Sequence, residues 1–344
     1  MSVTLLICTC NGANLLKPTL EHVCGQVVPA GIEWELLIVN NASTDATPTV
    51  IRETLAGAPF SWRLLDQPKP GKNHALELGI QAAKGDFISV IDDDNWIAPD
   101  WVERVQALME AHPAVGILGS FNEPVFEAEP PPWFGNVQSF YACGARAPAS
   151  GDVTESTGGI MAGAGATLRR SAWDQVCATG FCSFNSYRRG RRPVPGDDVE
   201  LSLAICRRGW RLWYDAELRL RHFMPAARLT WEKSRRHFRG IGRSLLGKHP
   251  YQIWPQPEPA RYWKERLRRT WQWQFARECK QFFITVAPVA VAFVCGGRVG
   301  DSRVLFAEVR FGFLERCLRE RGKYTQHLRR IASGEGAAAA PRTV

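Results

Sequence analysis

Three successive carboxylates, Asp92, Asp93 and Asp94, follow directly after an apolar segment at residues 87–91. Packing three like charges so closely is unfavourable unless a cation lies nearby. A hard divalent cation such as Mg²⁺ or Mn²⁺ is commonly held by one or two carboxylates together with the phosphate oxygens of a substrate. The cluster therefore predicts a metal and phosphate site. The alternative is an acidic turn that caps the helix near Pro99.

A second group of acids, Asp197, Asp198 and Glu200, follows Gly196. A carboxylate placed in a site can take the proton of an attacking hydroxyl, which is a poor nucleophile by itself. The same acids stand in the first turn of a predicted helix, where negative charge stabilises the helix dipole without catalysis. The residues alone leave both interpretations open.

The elements that must position these acids alternate along the first third of the chain. The predicted strands cover residues 3–8, 34–39, 62–65 and 87–91, and the helices lie near residues 15–24, 45–55, 71–84 and 99–111. This alternation is typical of an α/β fold, in which a mostly parallel sheet is sandwiched by helices. Ligands of such sheets bind at the carboxyl ends of the strands.

Polar side chains stand at these strand ends and at one helix start. They are Thr9 and Asn11 after the first strand, Asn40 and Asn41 after the second, and Lys72 and Asn73 at the start of the third helix. With the acidic cluster after the fourth strand, they point to one crevice. A lysine beside a helix N-terminus is a reasonable neighbour of a phosphate, although an exposed lysine without a ligand is the alternative.

The middle of the chain is more irregular. Residues 121–160 are rich in Pro and Gly and predict a loop region that lines an acceptor site. A glycine-rich stretch at residues 158–168 leads into a helix from Ser171, and residues 197–208 predict a further helix. Two closing strands are expected at residues 210–214 and 218–222.

Several of these segments, in this order, resemble the family 2 glycosyltransferases with the type A nucleotide-sugar fold, which is Rossmann-like. Asp92-Asp93-Asp94 resembles the family's D-x-D signature, and Thr9-Cys10-Asn11-Gly12 is similar to its first strand-end motif. Residues 37–45 resemble its base- and ribose-binding loop, and residues 195–201 resemble its G-E-D-x-E-L segment. The chain departs from the pattern at Asn40, where the family usually has Asp, and at Asp197, which replaces Glu. The resemblance covers roughly residues 2–225.

The resemblance implies an inverting transfer by direct displacement. Asp198, with Asp197 beside it, would be the base that deprotonates the acceptor, and Asp94, Asp92 and His222 would bind a divalent metal, Mg²⁺ or Mn²⁺. The residues expected to contact the nucleotide are Thr9, Asn11, Asn40, Asn41, Lys72, Asn73, Asp92 and Asp93. The donor is expected to be a nucleotide diphosphate sugar, linked to UDP, and the acceptor a glycan or lipid-linked hydroxyl in cell-surface polysaccharide or glycolipid biosynthesis.

The basic charge of the chain is concentrated at one end. Residues 231–344 hold 23 Lys and Arg against 9 Asp and Glu, whereas residues 1–230 hold 20 against 25. The arginines are interleaved with Trp231, Trp254, Trp263, Trp271 and Trp273. Cations and aromatic rings together predict peripheral contact with an anionic membrane. In another interpretation the tryptophans pack inside the protein and the arginines face solvent. Nucleic acid is not predicted as a partner, because no nucleic-acid module precedes this region.

One apolar stretch, residues 282–297, is interrupted by Pro288 and is shorter than the roughly 20 residues of a membrane span. It is predicted to be a buried or interfacial segment.

These patterns predict a glycosyltransferase domain at residues 1–230, a basic helical region at residues 231–330 that associates with a membrane, and a disordered tail at residues 331–344. The nucleotide-sugar half of the catalytic domain would cover about residues 1–120 and the acceptor half about residues 121–230. The first residues do not resemble a signal peptide, so the expected location is the cytoplasm, at the inner face of the plasma membrane.

Two other functions fit parts of the sequence: a sugar nucleotidyltransferase on a related sheet, and a non-catalytic basic protein that binds a membrane or nucleic acid. Only sugar transfer explains both groups of acids.

Overall fold

The computed structural model describes residues 1–185, 196–253, 263–295 and 298–332. The strands are β1 Val3–Thr9, β2 Trp34–Asn41, β3 Ser61–Gln67, β4 Phe87–Ile91, β5 Asn95–Ile97, β6 Val115–Phe126, β7 Gly151–Asp152, β8 Thr167–Arg169 and β9 Arg211–Met224. The helices are α1 Leu16–Cys24, α2 Thr47–Thr54, α3 Lys72–Ala82, α4 Trp101–Ala111, α5 Arg170–Ala178, α6 Asp197–Cys206, α7 Trp231–Ile253, α8 Trp263–Arg268, α9 Trp271–Val286, α10 Ala290–Cys295, α11 Ser302–Arg319 and α12 Arg321–Ala332.

The chain forms two compact units. The first contains Met1–Glu127, Gln138–Gln175 and Ile205–Met224, and the second contains Ala128–Val137, Val176–Ala204 and Pro225–Val344. The sequence predicted contiguous domains with a boundary near residue 230, where the amino-acid composition changes. The compact units are interleaved along the chain, since two segments that precede residue 205 belong to the second unit. The predicted division into a catalytic domain and a basic region stays a prediction.

The first unit is built on a parallel block of strands in the order β3-β2-β1-β4. All four strands were predicted, and each predicted boundary lies within two residues of the observed one. β1, β2 and β4 are buried almost throughout, which explains why they read as continuous apolar runs. Their side chains form one core with α1 and α4, in which Leu5, Ile38, Phe87 and Trp101 are fully buried.

Beyond β4 the sheet is mixed rather than mostly parallel. β4 and β6 both pair with β8 in antiparallel fashion, β6 pairs with β9 in parallel, and β9 pairs with β5 and β7 in antiparallel fashion. The prediction of a mostly parallel sheet therefore holds for the first four strands only. Helices flank this sheet, as the sequence predicted.

Two sequence-based assignments in this half are wrong. Residues 121–126, predicted to be part of an irregular loop, form the second half of β6. The two predicted closing strands are one strand, β9, with a register shift opposite Ser120 and Phe121. The shift arises because Oδ1 of Asp215 accepts hydrogen bonds from the backbone N–H groups of Glu217 and Leu218, at 3.0 and 2.9 Å.

The C-terminal part of the second unit is helical, as predicted, and centres on the pair α7 and α11. Glycine permits their close approach, since a Cβ on Gly312 would overlap the carbonyl oxygen of Arg239. Beside this contact the buried carboxylate of Glu308 pairs with Arg235 and Arg239, each at 2.7 Å. Some of the arginines thus neutralise buried carboxylates, which neither interpretation of this basic region predicted.

The helices α9 and α10 carry an apolar surface, defined here by Phe283, Ile284, Val291 and Val294, which are 66, 59, 77 and 81% exposed. The helical segment Trp271–Cys295 has the length and composition of a membrane span, with a mean hydropathy of 1.5 and only 17% of its most apolar window buried. The prediction of a buried segment is therefore wrong for most of residues 282–295. The interfacial alternative stays a prediction.

The tryptophans of this region divide between packing and exposure. Trp231 packs edge-on against Trp133, with ring centroids 5.4 Å apart, whereas Trp263 is 69% exposed. Some predicted features lie outside the described residues: Pro195, Trp254, the last two residues of the stretch 282–297, and residues 333–344 of the predicted tail. The tail's first two residues end α12, and Ile331 is buried, so they are not disordered.

Candidate active site

The acidic cluster stands at the carboxyl edge of the parallel strands, directly after β4. Thr9, the last residue of β1, donates a 2.7 Å hydrogen bond from Oγ1 to Oδ2 of Asp93. Burial and the charges of Asp94 and Asp92 raise the pKa of Asp93 to about 6, against the effect of this hydrogen bond. Such crowding of negative charge in a partly buried place favours a bound cation.

Lys72 supplies one positive charge beside the cluster. It is the first residue of α3, and its ammonium group forms an ion pair with Oδ1 of Asp92. The two side chains keep 40 and 25% of their surface exposed, so the pair remains accessible. A lysine at a helix N-terminus next to carboxylates is suited to a diphosphate, which both the ammonium group and the helix dipole attract.

His222 lies on the other side of the cluster. Its Nε2 is 3.5 Å from Oδ2 of Asp94, and the imidazole is only 3% exposed. The contact follows from the pairing of β5 with β9, which sets Asn95 opposite His222. Burial lowers the pKa of His222, but the hydrogen bonds with Asp94 and Cys143 outweigh it and raise the pKa to about 9.

The fit of this cluster to a divalent cation depends on how many groups converge. Among the described residues, no three His, Cys, Asp or Glu side chains are arranged around one point as a complete metal site. Asp94 and His222 do face each other, whereas Asp92 is paired with Lys72. Two protein ligands suffice for Mg²⁺ or Mn²⁺ when phosphate oxygens and water complete the shell, and His222 must give up its proton to bind the ion. The residues therefore fit a cation that binds together with a diphosphate.

The loops after β1 and β2 are tied together by Asn11. Its backbone has a φ of 54°, a left-handed conformation that Asn tolerates better than most residues. Its N–H donates to Oγ of Ser43 at 2.9 Å, and its Oδ1 accepts from the N–H of Thr44 at 2.8 Å. The next residue must be glycine, because a Cβ on Gly12 would overlap Oγ1 of Thr9. Asn11 thus shapes the rim of the crevice.

The two asparagines that end β2 have different partners. Nδ2 of Asn41 donates to the carbonyl oxygen of Lys69 at 2.8 Å, and its Oδ1 accepts from the N–H of Gly71 at 2.7 Å. Asn41 therefore holds the loop that leads into Lys72, and its contact with a nucleotide stays a prediction. Nδ2 of Asn40 donates to Oδ1 of Asp66 at 2.7 Å. Asn73 lies half-buried in the first turn of α3.

Asp197 and Asp198 belong to the second unit, where they begin α6. Gly196 precedes them with a φ of 101°, which favours glycine. Both acids are half-buried, and Oδ1 of Asp198 accepts from the N–H of Val199 at 2.9 Å. Their catalytic roles stay predictions from the resemblance.

Glu200 has a structural role in the same helix. Its buried carboxylate accepts hydrogen bonds from Oγ of Ser183 at 2.5 Å and from the N–H groups of Phe184 and Asn185 at 3.0 and 2.8 Å. Arg316 of α11 in turn donates to Oδ1 of Asn185. Burial raises the pKa of Glu200 to about 7, although the hydrogen bonds from Ser183, Phe184 and Asn185 act to lower it. The network fixes the start of α6, and with it the place of Asp198.

The sequence did not single out several residues of these networks: Asp66, Cys143, Asn185 and Arg316. Asp66 directly follows the predicted strand at residues 62–65, as Asp92 follows the strand at residues 87–91, so its position was a usable signal. Arg316 is separated from Asn185 by 131 positions, and no spacing pattern connects them.

Comparisons with known proteins bear on the family and the fold of the chain. A family model described as "Glycosyl transferase family 2" matches residues 4–175, which is half of the chain. EpsH of Bacillus subtilis (strain 168), named as a glycosyltransferase, is 33% identical over 104 residues, which cover 30% of this chain and 29% of EpsH. The dodecaprenyl-phosphate galacturonate synthase of Rhizobium johnstonii is 25% identical over 140 residues, covering 40% of this chain and 41% of the synthase. The chain thus spans less than half the length of these relatives.

Among solved structures, the mannosyltransferase PcManGT from Pyrobaculum calidifontis, in complex with GDP-Man and Mn²⁺, superposes with a TM-score of 0.54 at 18% identity. The likeness covers 93% of this chain and 86% of the mannosyltransferase, and it confirms the predicted type A fold. The family model covers half of the chain, and the chain belongs to family 2 of the glycosyl transferases.

Proposed function

We propose that the protein is a metal-dependent glycosyltransferase that moves a sugar from a nucleotide diphosphate sugar to an acceptor hydroxyl in polysaccharide or glycolipid biosynthesis. The observation that carries the proposal is the convergence of the Asp92–Asp94 cluster, Lys72 and His222 at the carboxyl edge of parallel strands. Carboxylates beside a lysine and a helix N-terminus suit a diphosphate with its cation better than they suit a free base or sugar.

The diphosphate of the donor would lie next to Lys72. Its ammonium group and the N–H groups at the start of α3 would bind phosphate oxygens, while Thr9 keeps Asp93 in place. A divalent cation held by Asp94 and His222 would neutralise the charge that develops on the departing nucleoside diphosphate. Neutralising the charge on the leaving nucleoside diphosphate is the main electrostatic requirement of sugar transfer.

Asp198 is proposed as the general base. The acceptor oxygen would form a bond to the anomeric carbon while its proton passes to the Asp198 carboxylate and the bond from that carbon to the phosphate oxygen breaks. Such a single displacement inverts the anomeric configuration. The resemblance of residues 195–201 to the family motif supports this role, and Glu200 supports it by fixing the first turn of α6.

Two relatives support the donor and acceptor classes. The solved structure of PcManGT is a complex with GDP-Man and Mn²⁺, which supports a nucleotide-sugar donor and a divalent cation for this protein. The name of the dodecaprenyl-phosphate galacturonate synthase supports a polyprenyl-linked acceptor.

A peripheral membrane location, at the cytoplasmic face, is part of the proposal. The apolar surface lies within a run without charged residues, 281–297, and the exposed cations Lys280 and Arg298 flank this run. Apolar side chains bordered by cations complement the acyl and headgroup layers of an anionic membrane. A lipid-linked acceptor would be reached from such a position.

The test is to incubate the full chain with Mn²⁺, single nucleotide sugars and a polyprenyl-phosphate-linked saccharide, and to measure nucleoside diphosphate release and the glycosylated product. The proposal expects transfer by the native protein, and for Asp198→Asn it expects loss of transfer with nucleotide binding retained. Pyrophosphate release from a nucleoside triphosphate and a sugar phosphate would instead identify a nucleotidyltransferase.

A further inference from the structure

Asn95, the residue that follows the acidic cluster and begins β5, is fully buried. Its Oδ1 accepts a 3.3 Å hydrogen bond from the N–H of Asp92, and its Nδ2 donates to Oδ1 of Asp94 at 3.0 Å. A backbone N–H only donates and an ionised carboxylate only accepts, so both partners fix the same orientation of the amide. One side chain therefore connects the first and the third acids of the cluster.

The two carboxylate oxygens of Asp94 have different neighbours as a result. Oδ1 is held by Asn95, whereas Oδ2 lies 3.5 Å from Nε2 of His222. The backbone of Asp94 is fixed as well, because its carbonyl oxygen accepts from the N–H of Phe223 in β9 at 2.8 Å. With the backbone in place, the hydrogen bond from Asn95 determines which oxygen of the carboxylate faces His222.

The imidazole of His222 is held on its other side. Sγ of Cys143 lies 3.8 Å from Nδ1, and the same thiol donates to the carbonyl oxygen of Tyr141 at 3.5 Å. The ring is almost completely buried, which restricts its rotation further. Mg²⁺ and Mn²⁺ require near-ideal placement of their ligands. The rotation of the Asp94 carboxylate therefore decides whether its Oδ2 and Nε2 of His222 can bind one cation.

We propose that Asn95 is a positioning residue for the divalent cation: by engaging Oδ1 of Asp94, it leaves Oδ2, the oxygen that faces His222, for the metal. The inference rests on the proposed function, since it assumes a cation held by Asp94 and His222. Hydrogen bonds that orient a metal ligand in this way typically change the metal affinity about 10–100-fold when they are removed.

An amide suits this position better than a charged side chain. A further carboxylate would repel Asp94, and a lysine or arginine would repel the cation. The amide of Asn95 is neutral, and it supplies both the donor for Asp94 and the acceptor for the N–H of Asp92. A purely structural role, in which Asn95 only closes the turn after β4, uses the same two contacts. The two roles differ in what the loss of these contacts does to metal binding.

The experiment measures the affinity of the full chain for GDP and UDP by calorimetry, with and without Mn²⁺, and repeats the titrations with Asn95→Leu and Thr19→Val. Leucine has nearly the size of asparagine and makes no side-chain hydrogen bond. Thr19 is the matched control, because it is equally buried and its Oγ1 donates at 2.8 Å to the carbonyl oxygen of Asp93 in the same cluster. Both variants therefore lose a buried hydrogen bond and should melt at a lower temperature.

Only Asn95→Leu should change the response to metal. The strengthening of nucleotide binding by Mn²⁺ should fall about tenfold or more in this variant, and it should stay close to the native value in Thr19→Val. Binding without metal should be similar in all three proteins. Electron paramagnetic resonance of free Mn²⁺ in the same mixtures gives a second readout, in which Asn95→Leu should leave more of the ion in solution.

The outcomes separate this inference from the proposed function. An undiminished effect of Mn²⁺ in Asn95→Leu, or an equal loss in both variants, overturns the positioning role and leaves metal-dependent transfer standing. Nucleotide binding by the native protein that is indifferent to Mn²⁺ overturns both. If Asn95→Leu does not fold, Asn95→Ser replaces it, because its shorter side chain does not reach Asp94 along the same path, and the same outcomes decide.

Discussion

Nε2 of His222 lies 3.5 Å from Oδ2 of Asp94, although the two residues belong to strands far apart in the chain. The contact exists because β9 pairs antiparallel with β5, and β5 is the strand that directly follows the acidic cluster. Both side chains are largely buried, with 3 and 14% of their surface exposed. The pair is thus a fixed feature of the fold, on which a cation and a diphosphate could be assembled.

We expect His222→Ala to weaken Mn²⁺-dependent binding of the nucleoside diphosphate about tenfold or more, since it removes one of two protein groups at the proposed cation position. Calorimetric titration with and without Mn²⁺ measures the effect. Binding without metal should change little, and it serves as the internal control. An equal loss in both conditions would show that His222 acts on the fold or on the nucleotide directly.

Lys72→Ala should lower the affinity for the nucleoside diphosphate about tenfold, because a partly desolvated charge next to the phosphates is lost. Affinity for the corresponding nucleoside should change little, as it lacks phosphates. The melting temperature should fall only slightly, since the ion pair is partly exposed and such pairs contribute only about 0–1 kcal/mol. Lys17→Ala is the matched control, because Lys17 is exposed and its ion pair with Glu21 spans 3.9 Å. Equal effects of the two variants on phosphate binding would contradict the assignment.

Glu200 should make stability depend on pH. Burial raises its pKa from an ordinary 4.5 to about 7, so the native state binds this proton more tightly than the unfolded chain does. The resulting stabilisation is complete below pH 4.5 and is lost as the pH rises through 7. Burial lowers the pKa of His327 to about 4, which acts in the opposite direction below its ordinary 6.5. Because Nε2 of His327 lies 3.4 Å from Oε1 of Glu200, a substitution of Glu200 also changes the surroundings of His327.

Urea unfolding of the native protein and of Glu200→Gln between about pH 5 and 8 measures the contribution of this carboxyl together with its effect on His327. Glutamine cannot ionise, so the decrease in unfolding free energy over this range should be smaller in the variant. The variant should also lose about 1–3 kcal/mol at every pH, because its amide nitrogen must face an N–H donor. Two parallel curves would show that Glu200 does not titrate in this range.

Replacing Val291 and Val294 with glutamate should abolish sedimentation of the protein with vesicles of phosphatidylglycerol, because both side chains belong to the apolar surface and are more than three-quarters exposed. Leu318→Glu is the matched control, since Leu318 is 50% exposed and lies on α11 outside that surface. High salt should partly weaken the binding of the native protein to the vesicles, because it screens the attraction between the protein's cations and the anionic lipids. Undiminished vesicle binding of the double variant would exclude this surface as the docking site.

The sequence was informative where one physical signal dominates. β1, β2 and β4 are buried on both faces, so their apolar runs marked them within two residues. β6 was partly missed because Gly119, Ser120 and Pro124 interrupt its pattern. β9 was divided in two because the polar bulge at Asp215 resembles a turn.

The candidate site could be predicted where its residues follow strands directly, as Thr9 and the acidic cluster do. Side-chain contacts that arise from the alignment of neighbouring strands, or from packing between distant parts of the chain, could not be predicted. Asp66 faces Asn40 only through the alignment of β2 with β3, and Arg316 reaches Asn185 only through the packing of α11. Asn41 matched the motif in type and position, yet its amide serves the backbone of the next loop.

The central claim is that the acidic cluster binds a nucleoside diphosphate together with a divalent cation. The most direct measurement is calorimetric titration of the native protein with the nucleoside diphosphate that binds most tightly, in the presence and absence of Mn²⁺, repeated on Asp94→Asn with its folding checked by circular dichroism. We predict binding that Mn²⁺ strengthens about tenfold or more, and loss of that enhancement in the folded variant. Binding that is indifferent to Mn²⁺ and to Asp94→Asn, or no binding at all, would contradict the claim.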